Sequence, residues 1–239
     1  MKARKIFQDS VVKGGGWDDP LPEELVRRWE DWLRSAEADL KRVRVPRRTA
    51  VLGVDESLDE IHVFSDASEI GLGAIAYRVT RNKADGERAV SLLIGKVKVA
   101  PVRSVSMPRL ELMAAELGLK VALEVRRAHD IPKSRFHYWT DAMDVLYWIR
   151  NRTRKLSTFV AHRVSKLQEH TAVENWRKVP GGINPADIAS RGCLAGDLVE
   201  CERWWKGPPF LSEGPEAWPK EVGFSPPESA EREVRKEKV

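Results

Sequence analysis

The sequence predicts an α/β protein with a five-stranded mixed sheet, in which three antiparallel strands are followed by parallel additions, flanked by helices. The first observation is that residues 60–100 contain three β-rich apolar runs separated by Gly, Ser and the sequence NKADG, a pattern typical of an antiparallel meander. The second is that the apolar period changes to 3.6 residues after Ala100. Helices and strands alternate from there to Gly192, which favours strands added in parallel to the meander.

The first predicted element is an amphipathic helix over residues 20–40, where Leu and Trp recur at helical spacing. It ends before Pro46 in the basic run KRVRVPRR (41–48), which is either a solvated linker or a phosphate-facing patch. The later elements follow from apolar periodicity and from Ser, Asn, Pro and Gly signals at helix ends. They are strands in IHVFSDAS, GLGAIAYRVT and RAVSLLIGKVKVA, a long helix from Ser106 to His129, a strand at 135–141, helices at 142–150 and 158–170, the strand NWRKVP and the short helix NPADIASRG.

These elements divide the chain into three regions. Residues 1–57 form an N-terminal segment with the amphipathic helix, residues 58–195 form the α/β domain, and residues 196–239 form a C-terminal extension. The end of the extension, SPPESAEREVRKEKV (225–239), is rich in Pro and charged residues, and this composition predicts disorder.

The composition excludes several classes of protein. No apolar run approaches the roughly 18 residues that a membrane-spanning helix needs. The basic N-terminus lacks the apolar core of a secretory signal, so nothing supports secretion. Cys193 and Cys201 are too few for a disulfide scaffold or a zinc cage and fit a reducing compartment. The net charge is only +5, so a polyanionic partner must be argued from where the charges lie.

Four carboxylates lie at the ends of predicted elements. Asp66 ends the first strand, Glu111 is in the first turn of the long helix, Asp141 ends the fourth strand and Asp187 opens the last helix. Strand ends and the helix starts that follow them meet at one edge of an α/β sheet, so these acids are expected to converge. Clustered carboxylates must take up protons or bind cations, and oxygen-only ligands suit Mg²⁺ or Mn²⁺.

Each acid also has an ordinary structural explanation. Asp66 fits a turn, Asp141 fits a helix cap, and Glu111 and Asp187 suit helix N-termini electrostatically. These explanations account for single acids but not for the whole set. Each acid lies in a distinctive sequence, and SDAS is followed by Gly71 and Gly73, which permit close approach of another backbone.

Several sequence blocks resemble one known family. FSDAS (64–68), PRLELMAAE (108–116), WTDAMDVLYWI (139–149), VPGGINPADIASRG (179–192) and WWKGPPFL (204–211) resemble the ribonuclease H region of Pao/BEL-class LTR-retrotransposon polyproteins. The upstream WDDPLPEELVRRWEDW (17–32) resembles the stretch that joins reverse transcriptase to ribonuclease H, which makes 1–57 a connection segment. The resemblance covers most of residues 58–218 and implies a ribonuclease H-like fold.

The resemblance also implies an activity and a site. The family's catalytic and metal-binding acids fall on Asp66, Glu111, Asp141 and Asp187, which would hold two Mg²⁺ or Mn²⁺ ions with Asp66 as the bridge. The implied reaction is endonucleolytic hydrolysis of the RNA strand of RNA–DNA hybrids during reverse transcription. Many cellular ribonucleases H have a histidine shortly before the last acid, but PGGINPAD has none, and His170 is expected on the preceding helix.

The implied partners are an RNA–DNA hybrid and the reverse transcriptase and integrase parts of the same polyprotein, with no membrane. The resemblance places the chain inside the cell, in a cytoplasmic virus-like particle or in the nucleus. The chain is expected to be either a polyprotein fragment or a domesticated gene product.

Two segments combine basic residues with an absence of acids. No Asp or Glu occurs between Val145 and Gln168 or between Arg88 and Leu110, although the chain contains 36 acids. These segments are either two solvated faces or, beside an acid cluster, a phosphate-contacting surface. The candidate nucleic-acid-binding residues are Arg103, Arg109, Arg152, Arg154, Lys155, Arg163 and Lys166.

Two other functions compete with the enzyme. A non-catalytic hybrid-binding or connection module would keep the fold and lose the acids, whereas all four acids are present here. An integrase-like protein would place its Glu last, on a late helix, whereas here the Glu follows the third strand. The order of the acids therefore favours the ribonuclease.

Overall fold

A five-stranded mixed sheet forms the centre of the computed structural model, which describes residues 1–45, 58–220, 225 and 227–235. The strand order is β3-β2-β1-β4-β5. β1 pairs antiparallel with β2 and β2 with β3, whereas β1 pairs parallel with β4 and β4 with β5. The predicted fold class is therefore confirmed. The strands are β1 (Glu60–Ala67), β2 (Gly71–Arg81), β3 (Arg88–Val99), β4 (Phe136–Thr140) and β5 (Trp176–Lys178).

Tight turns account for the antiparallel meander. Between β2 and β3, the Asn82 side chain accepts a hydrogen bond from the Ala84 amide at 3.0 Å. Gly86 adopts a φ of 74°, which a residue with a side chain rarely takes. The predicted turn at NKADG is therefore present, and its chemistry is that of an Asx turn followed by a left-handed glycine.

Helices cover both faces of the sheet. On one face, α3 to α5 bury Ile61 and Val63 of β1, and on the other face α6 and the C-terminal extension bury Phe64. Within the described ranges, no helix is long and apolar enough to cross a membrane. The helices are α1 (Lys2–Lys13), α2 (Glu23–Asp39), α3 (Met107–His129), α4 (Met143–Arg150), α5 (Thr158–His170), α6 (Ala186–Arg191), α7 (Ala195–Val199), α8 (Glu202–Lys206), α9 (Phe210–Glu213) and α10 (Glu228–Glu231).

The N-terminal region contains two helices where the sequence predicts one. α2 corresponds to the predicted helix, whereas α1 is additional and is tied to the domain by Gln8, whose amide donates to Ala100 O at 2.8 Å. Arg28 of α2 pairs with Asp9 of α1 at 3.1 Å. Only Ile6 among the apolar residues of α1 is buried, so its amphipathic pattern is too weak to be recognised. The predicted stop at Pro46 and the boundary at residue 57 lie outside the described residues.

The prediction of disorder over 225–239 is wrong for residues 227–235. These residues include α10, and Ala230 is fully buried against the core. The Trp148 indole donates to Ala230 O at 3.1 Å. A composition average misses this because one small apolar residue and a few backbone hydrogen bonds anchor an otherwise charged segment. Residues 221–224, 226 and 236–239 of this region lie outside the described residues.

Candidate active site

Three of the four predicted acids come together at one edge of the sheet. Asp66 is near the end of β1, Asp141 directly follows β4, and Glu111 lies in the first turns of α3. One carboxylate oxygen from each residue lies within 4.8 Å of the others. Because β1 and β4 are parallel neighbours, their carboxyl ends reach the same edge, where α3 begins.

The protein provides few hydrogen bonds to this cluster. The Ser190 hydroxyl donates to Asp66 Oδ2, and the Ala67 amide donates to Glu111 Oε2 at 3.2 Å. Asp141 Oδ1 is buried and has no hydrogen-bond partner among the described residues. Asp66 itself is only 4% exposed. Asp141 is also hydrogen-bonded by its own backbone and by the Asn184 side chain, and both bonds lower its pKa. The cluster is therefore a site of concentrated negative charge with few donors.

Burial is the main cause of raised pKa values in the cluster. It raises the pKa of Asp66 to about 7, with further increases from the charges of Asp141 and Asp187 and an opposing effect of the Ser190 hydrogen bond. Burial, with the neighbouring Asp66 and Asp141, raises the pKa of Glu111 to about 9. Burial also raises the pKa of Asp141. An oxygen-only donor set with this excess of charge suits a hard divalent cation, which would favour the ionised forms.

Asp187 lies in the same cleft but outside the group of three. Its Oδ1 accepts a hydrogen bond from Arg191 Nε at 2.5 Å, one turn later on α6. Its charge nevertheless contributes to the raised pKa values of Asp66 and Asp141. Asp187 is therefore placed at the rim of the cluster, with its carboxylate paired to an arginine.

Glycine at two positions allows the surrounding backbone to approach the acids. Gly73 pairs with Asp66 across β1 and β2, and a Cβ at this position would lie 2.6 Å from Ala186 O. A Cβ on Gly181 would lie 2.8 Å from Asp141 Oδ2. The close approach expected from the glycines after SDAS is thus present at Gly73. It lets α6 pack directly on β2, beside Asp66 of β1.

The loop before α6 is held to β1 by Asn184. This residue is fully buried, donates to Ser65 O at 3.1 Å and accepts a hydrogen bond from the Ala186 amide at 3.1 Å. No histidine is among the residues that line the cleft in the described part of the chain, and His170 is the last residue of α5. Arg203 of α8 donates to Gly182 O and also lines the cleft, whose volume is about 850 Å³.

Sequence reasoning missed Ser190 and Arg203. Ser190 lies three residues after Asp187, so on a helix it shares the face that carries this acid, and this spacing was the available signal. It also accepts, through its carbonyl, a hydrogen bond of 2.9 Å from the Ser68 hydroxyl. No local pattern pointed to Arg203, because it reaches the cleft from the C-terminal extension.

The candidate nucleic-acid-binding residues fall into two groups. Arg103, Arg152 and Lys155 are exposed. The other four form ion pairs with acids from other elements. Those pairs are Arg109 with Glu233, Arg154 with Glu231, and both Arg163 and Lys166 with Glu116.

A second group of possible ligands, formed by Glu60, His62 and His137, lies further back along β1 and β4. His62 Nδ1 accepts a hydrogen bond from the Trp139 indole at 3.1 Å, and Nε2 faces Glu60 Oε2 at 3.3 Å. A neutral imidazole has one lone pair, and here that pair is used at Nδ1. Nε2 is therefore protonated and not free to bind a metal, and we assign this group to a buried polar network.

The sheet order, the helix after the third strand and the acids at the ends of β1 and β4 together define a ribonuclease H-like domain. The chain belongs to the Pao retrotransposon-like RNaseH-like domain family, whose model matches residues 1–142. The matched part includes Asp66, Glu111 and Asp141, whereas Asp187 lies beyond it.

One similar solved structure is ribonuclease H1 from the halophilic archaeon Halobacterium salinarum NRC-1. It is 12% identical with a TM-score of 0.36, and the match covers 54% of this chain and 93% of that one. No curated protein sequence matches the chain significantly.

Proposed function

We propose that this domain hydrolyses the RNA strand of RNA–DNA hybrids by an endonucleolytic, metal-dependent reaction during reverse transcription of a retroelement. The observation that carries the proposal is the convergence of Asp66, Glu111 and Asp141 from three different elements, with oxygens within 4.8 Å, in a member of a ribonuclease H-like family. A solitary acid at a strand end has ordinary structural explanations, but three acids brought together, one buried and two half-buried, must take up protons or bind a cation.

The donor set fits two Mg²⁺ or Mn²⁺ ions held by Asp66, Glu111 and Asp141, with Asp187 as the proposed fourth ligand. The unpartnered Asp141 Oδ1 is a free acceptor for such an ion. When bound, a pair of divalent ions activates a water and stabilises the leaving 3′ oxygen. Asp66 would keep one oxygen available to an ion because Ser190 occupies the other.

The remaining groups of the cleft would position the substrate. Arg191 and Arg203 place positive charge at the edge of an acidic cleft, where it would attract the phosphates of the strand to be cut. Without a histidine in the loop before α6, proton transfer would depend on water. Selection of RNA would rest on contacts to 2′-hydroxyls in the minor groove.

We extend the proposal to the biological setting of the family. The hybrid would be produced by the reverse transcriptase part of the same polyprotein, and the integrase part is the other proposed partner. The proposed compartment is the cytoplasm, within a virus-like particle, or the nucleus.

The test is incubation of the purified chain with a labelled RNA–DNA hybrid in Mg²⁺, in Mn²⁺ and in EDTA. We expect cleavage of the RNA strand with either metal and none with EDTA. Asp66→Asn should abolish cleavage, because it removes one charge from the cluster while keeping the shape of the side chain, and it should leave hybrid binding intact. The exposed Asp197 provides a matched control, and Asp197→Asn should cleave like the wild type.

Two results would contradict the proposal. Equal cleavage by wild type and Asp66→Asn would assign the activity to other residues or to a contaminant. Binding of the hybrid without cleavage in either metal would instead support a non-catalytic hybrid-binding or connection module.

A further inference from the structure

The C-terminal residues 227–235 lie across the start of α5 and one side of α4. The Ser157 amide donates to Glu233 O at 2.7 Å, and the Arg235 amide donates to Lys155 O at 2.8 Å. An isolated β-bridge joins Leu156 to Val234. We call residues 227–235 the tail segment, and its backbone follows the loop between α4 and α5.

Two glutamates of the tail segment accept hydrogen bonds from basic side chains and hydroxyl groups of this surface. Glu233 accepts hydrogen bonds from Arg109 Nε at 2.6 Å and Nη2 at 3.0 Å, and also from the Ser157 hydroxyl. Glu231 pairs with Arg154 and accepts a hydrogen bond from the Tyr147 hydroxyl at 3.0 Å. Arginine forks and hydroxyls of this kind bind phosphate oxygens as readily as carboxylate oxygens.

The covered surface borders the acid cluster. Asp144, in the first turn of α4, lies near enough to Glu111 for its charge to contribute to the raised pKa of that acid. The tail segment reaches this point, because the Ser229 hydroxyl donates to Asp144 Oδ1 at 2.6 Å. A nucleic acid strand lying in the cleft would therefore continue onto the surface that the tail segment covers.

The ion pairs of the tail segment are accessible to a competing anion. The side chains of Arg109 and Arg154 are 37% and 50% exposed, that of Glu231 is 35% exposed, and that of Glu233 is 13% exposed. The exposed pair of Arg154 with Glu231 therefore stabilises the contact little and is screened by salt, whereas the bidentate pair of Arg109 with Glu233 is the stronger of the two. A polyanion that presents several phosphates at once can therefore compete with the two carboxylates for Arg109 and Arg154.

We propose that the surface formed by Arg109, Tyr147, Arg154 and Ser157 binds phosphates of the hybrid, and that the tail segment covers it in the free protein. The tail segment and the nucleic acid then exclude each other, so the segment limits access to the cleft. This inference rests on the proposed function for the identity of the nucleic acid.

The main experiment compares two double variants that change the net charge equally. Glu231→Gln with Glu233→Gln removes the carboxylates that cover the surface. Glu37→Gln with Glu202→Gln removes two exposed carboxylates that lie outside the tail segment, on α2 and α8. The dissociation constant of a fluorescent RNA–DNA hybrid is measured by anisotropy in EDTA at low and moderate salt.

We expect the Glu231/Glu233 variant to bind on the order of ten times more tightly than the control variant, with the larger difference at low salt. Equal or weaker binding would overturn the inference, and so would an absence of hybrid binding in both variants. The binding assay in EDTA does not depend on cleavage. A failure of cleavage in the earlier test would therefore contradict the proposed function but not this inference.

A second measurement uses the wild-type chain and so does not depend on how the variants fold. Hydrogen exchange at the Ser157 and Arg235 amides reports directly on the backbone contacts of the tail segment. Addition of the hybrid in EDTA should accelerate exchange at both amides. Unchanged or slower exchange with bound hybrid would show that the tail segment is only a structural brace.

Discussion

The carboxylate of Glu111 is the least easily ionised member of the acid cluster. It is half-buried, lies beside Asp66 and Asp141, and accepts one backbone hydrogen bond from Ala67. Its pKa in the folded protein is about 9, far above the ordinary value near 4.3 in an unfolded chain. In the absence of a cation, the folded state therefore favours the protonated form of Glu111. Raising the pH removes this proton and so destabilises the folded state.

The metal-free protein is expected to lose stability as the pH rises from 7 to 9. A raised pKa means that the folded state binds more protons than the unfolded state in this range, so the free energy of unfolding falls with pH. We expect a fall on the order of 1–2 kcal/mol that is smaller in Glu111→Gln. Urea unfolding in EDTA at both pH values measures it. Identical pH dependence in wild type and variant would contradict the role assigned to Glu111.

The Ser190 hydroxyl is expected to lower the pKa of Asp66. Its hydrogen bond lowers the pKa of Asp66 against the effect of burial, so Ser190→Ala should raise this pKa further. The acidic limb of the pH–rate profile for hybrid cleavage in Mg²⁺ should then move to higher pH, and the free energy of unfolding should fall by about 1–2 kcal/mol. Ser212→Ala, which removes an exposed hydroxyl bonded to Pro209 O, is the control and should change neither.

Sequence reasoning identified the acids but not the residue that positions one of them. Asp66, Glu111 and Asp141 lie beside strand ends or in a first helical turn, which local apolar patterns reveal. The contact between Ser190 and Asp66 joins residues 124 positions apart. Nothing in the local sequence shows that α6 brings this hydroxyl to the end of β1.

At the scale of elements, the packing of α6 on β2 decides the shape of the site. Gly73 makes this packing possible, since the backbone of α6 occupies the space that a side chain would need. α6 in turn carries Asp187, Ser190 and Arg191 to the cleft. A short helix of six residues has little stability of its own, so its position depends on this contact.

Gly73→Ala is therefore expected to displace α6 and to destabilise the protein by about 1–3 kcal/mol. Hybrid cleavage should fall at least tenfold, because Ser190 would move away from Asp66. Gly118→Ala is the matched control, since a Cβ there would lie 3.5 Å from Val63 Cγ1, an ordinary van der Waals contact. It should be neutral or stabilising within a helix interior. Equal stability of the two variants, measured by urea unfolding, would contradict this account of Gly73.

At the scale of the whole molecule, the acid cluster joins β1, β4 and α3, so a cation bound there would couple these elements. We expect millimolar Mg²⁺ to raise the melting temperature of the wild type by a few degrees, because an ion that binds only the folded state stabilises it. Na⁺ at equal ionic strength should not have this effect. Asp66→Asn should show a much smaller Mg²⁺ response, and an undiminished response would place the bound ion elsewhere.

The sequence by itself determined the antiparallel meander, the alternating helices and strands after Ala100, and the acids at the ends of elements. These features depend on local periodicity, turn residues and short motifs, which are signals between residues only a few positions apart in the chain. The strand order was not predicted, because local patterns do not say which strands are neighbours. The parallel pairing of β1 with β4 is what brings the strand ends that carry Asp66 and Asp141 to the same edge.

Only the tertiary structure decided how the charges are paired. The acid-free stretches suggested open basic faces, yet Glu116, Glu231 and Glu233 reach four of the basic residues from other elements. Residues 227–235 of the charged C-terminal region are ordered because Ala230 is buried beside Trp148. Ion pairs and small packing contacts join residues far apart in the chain, so their partners are set by the folded geometry and not by any local pattern.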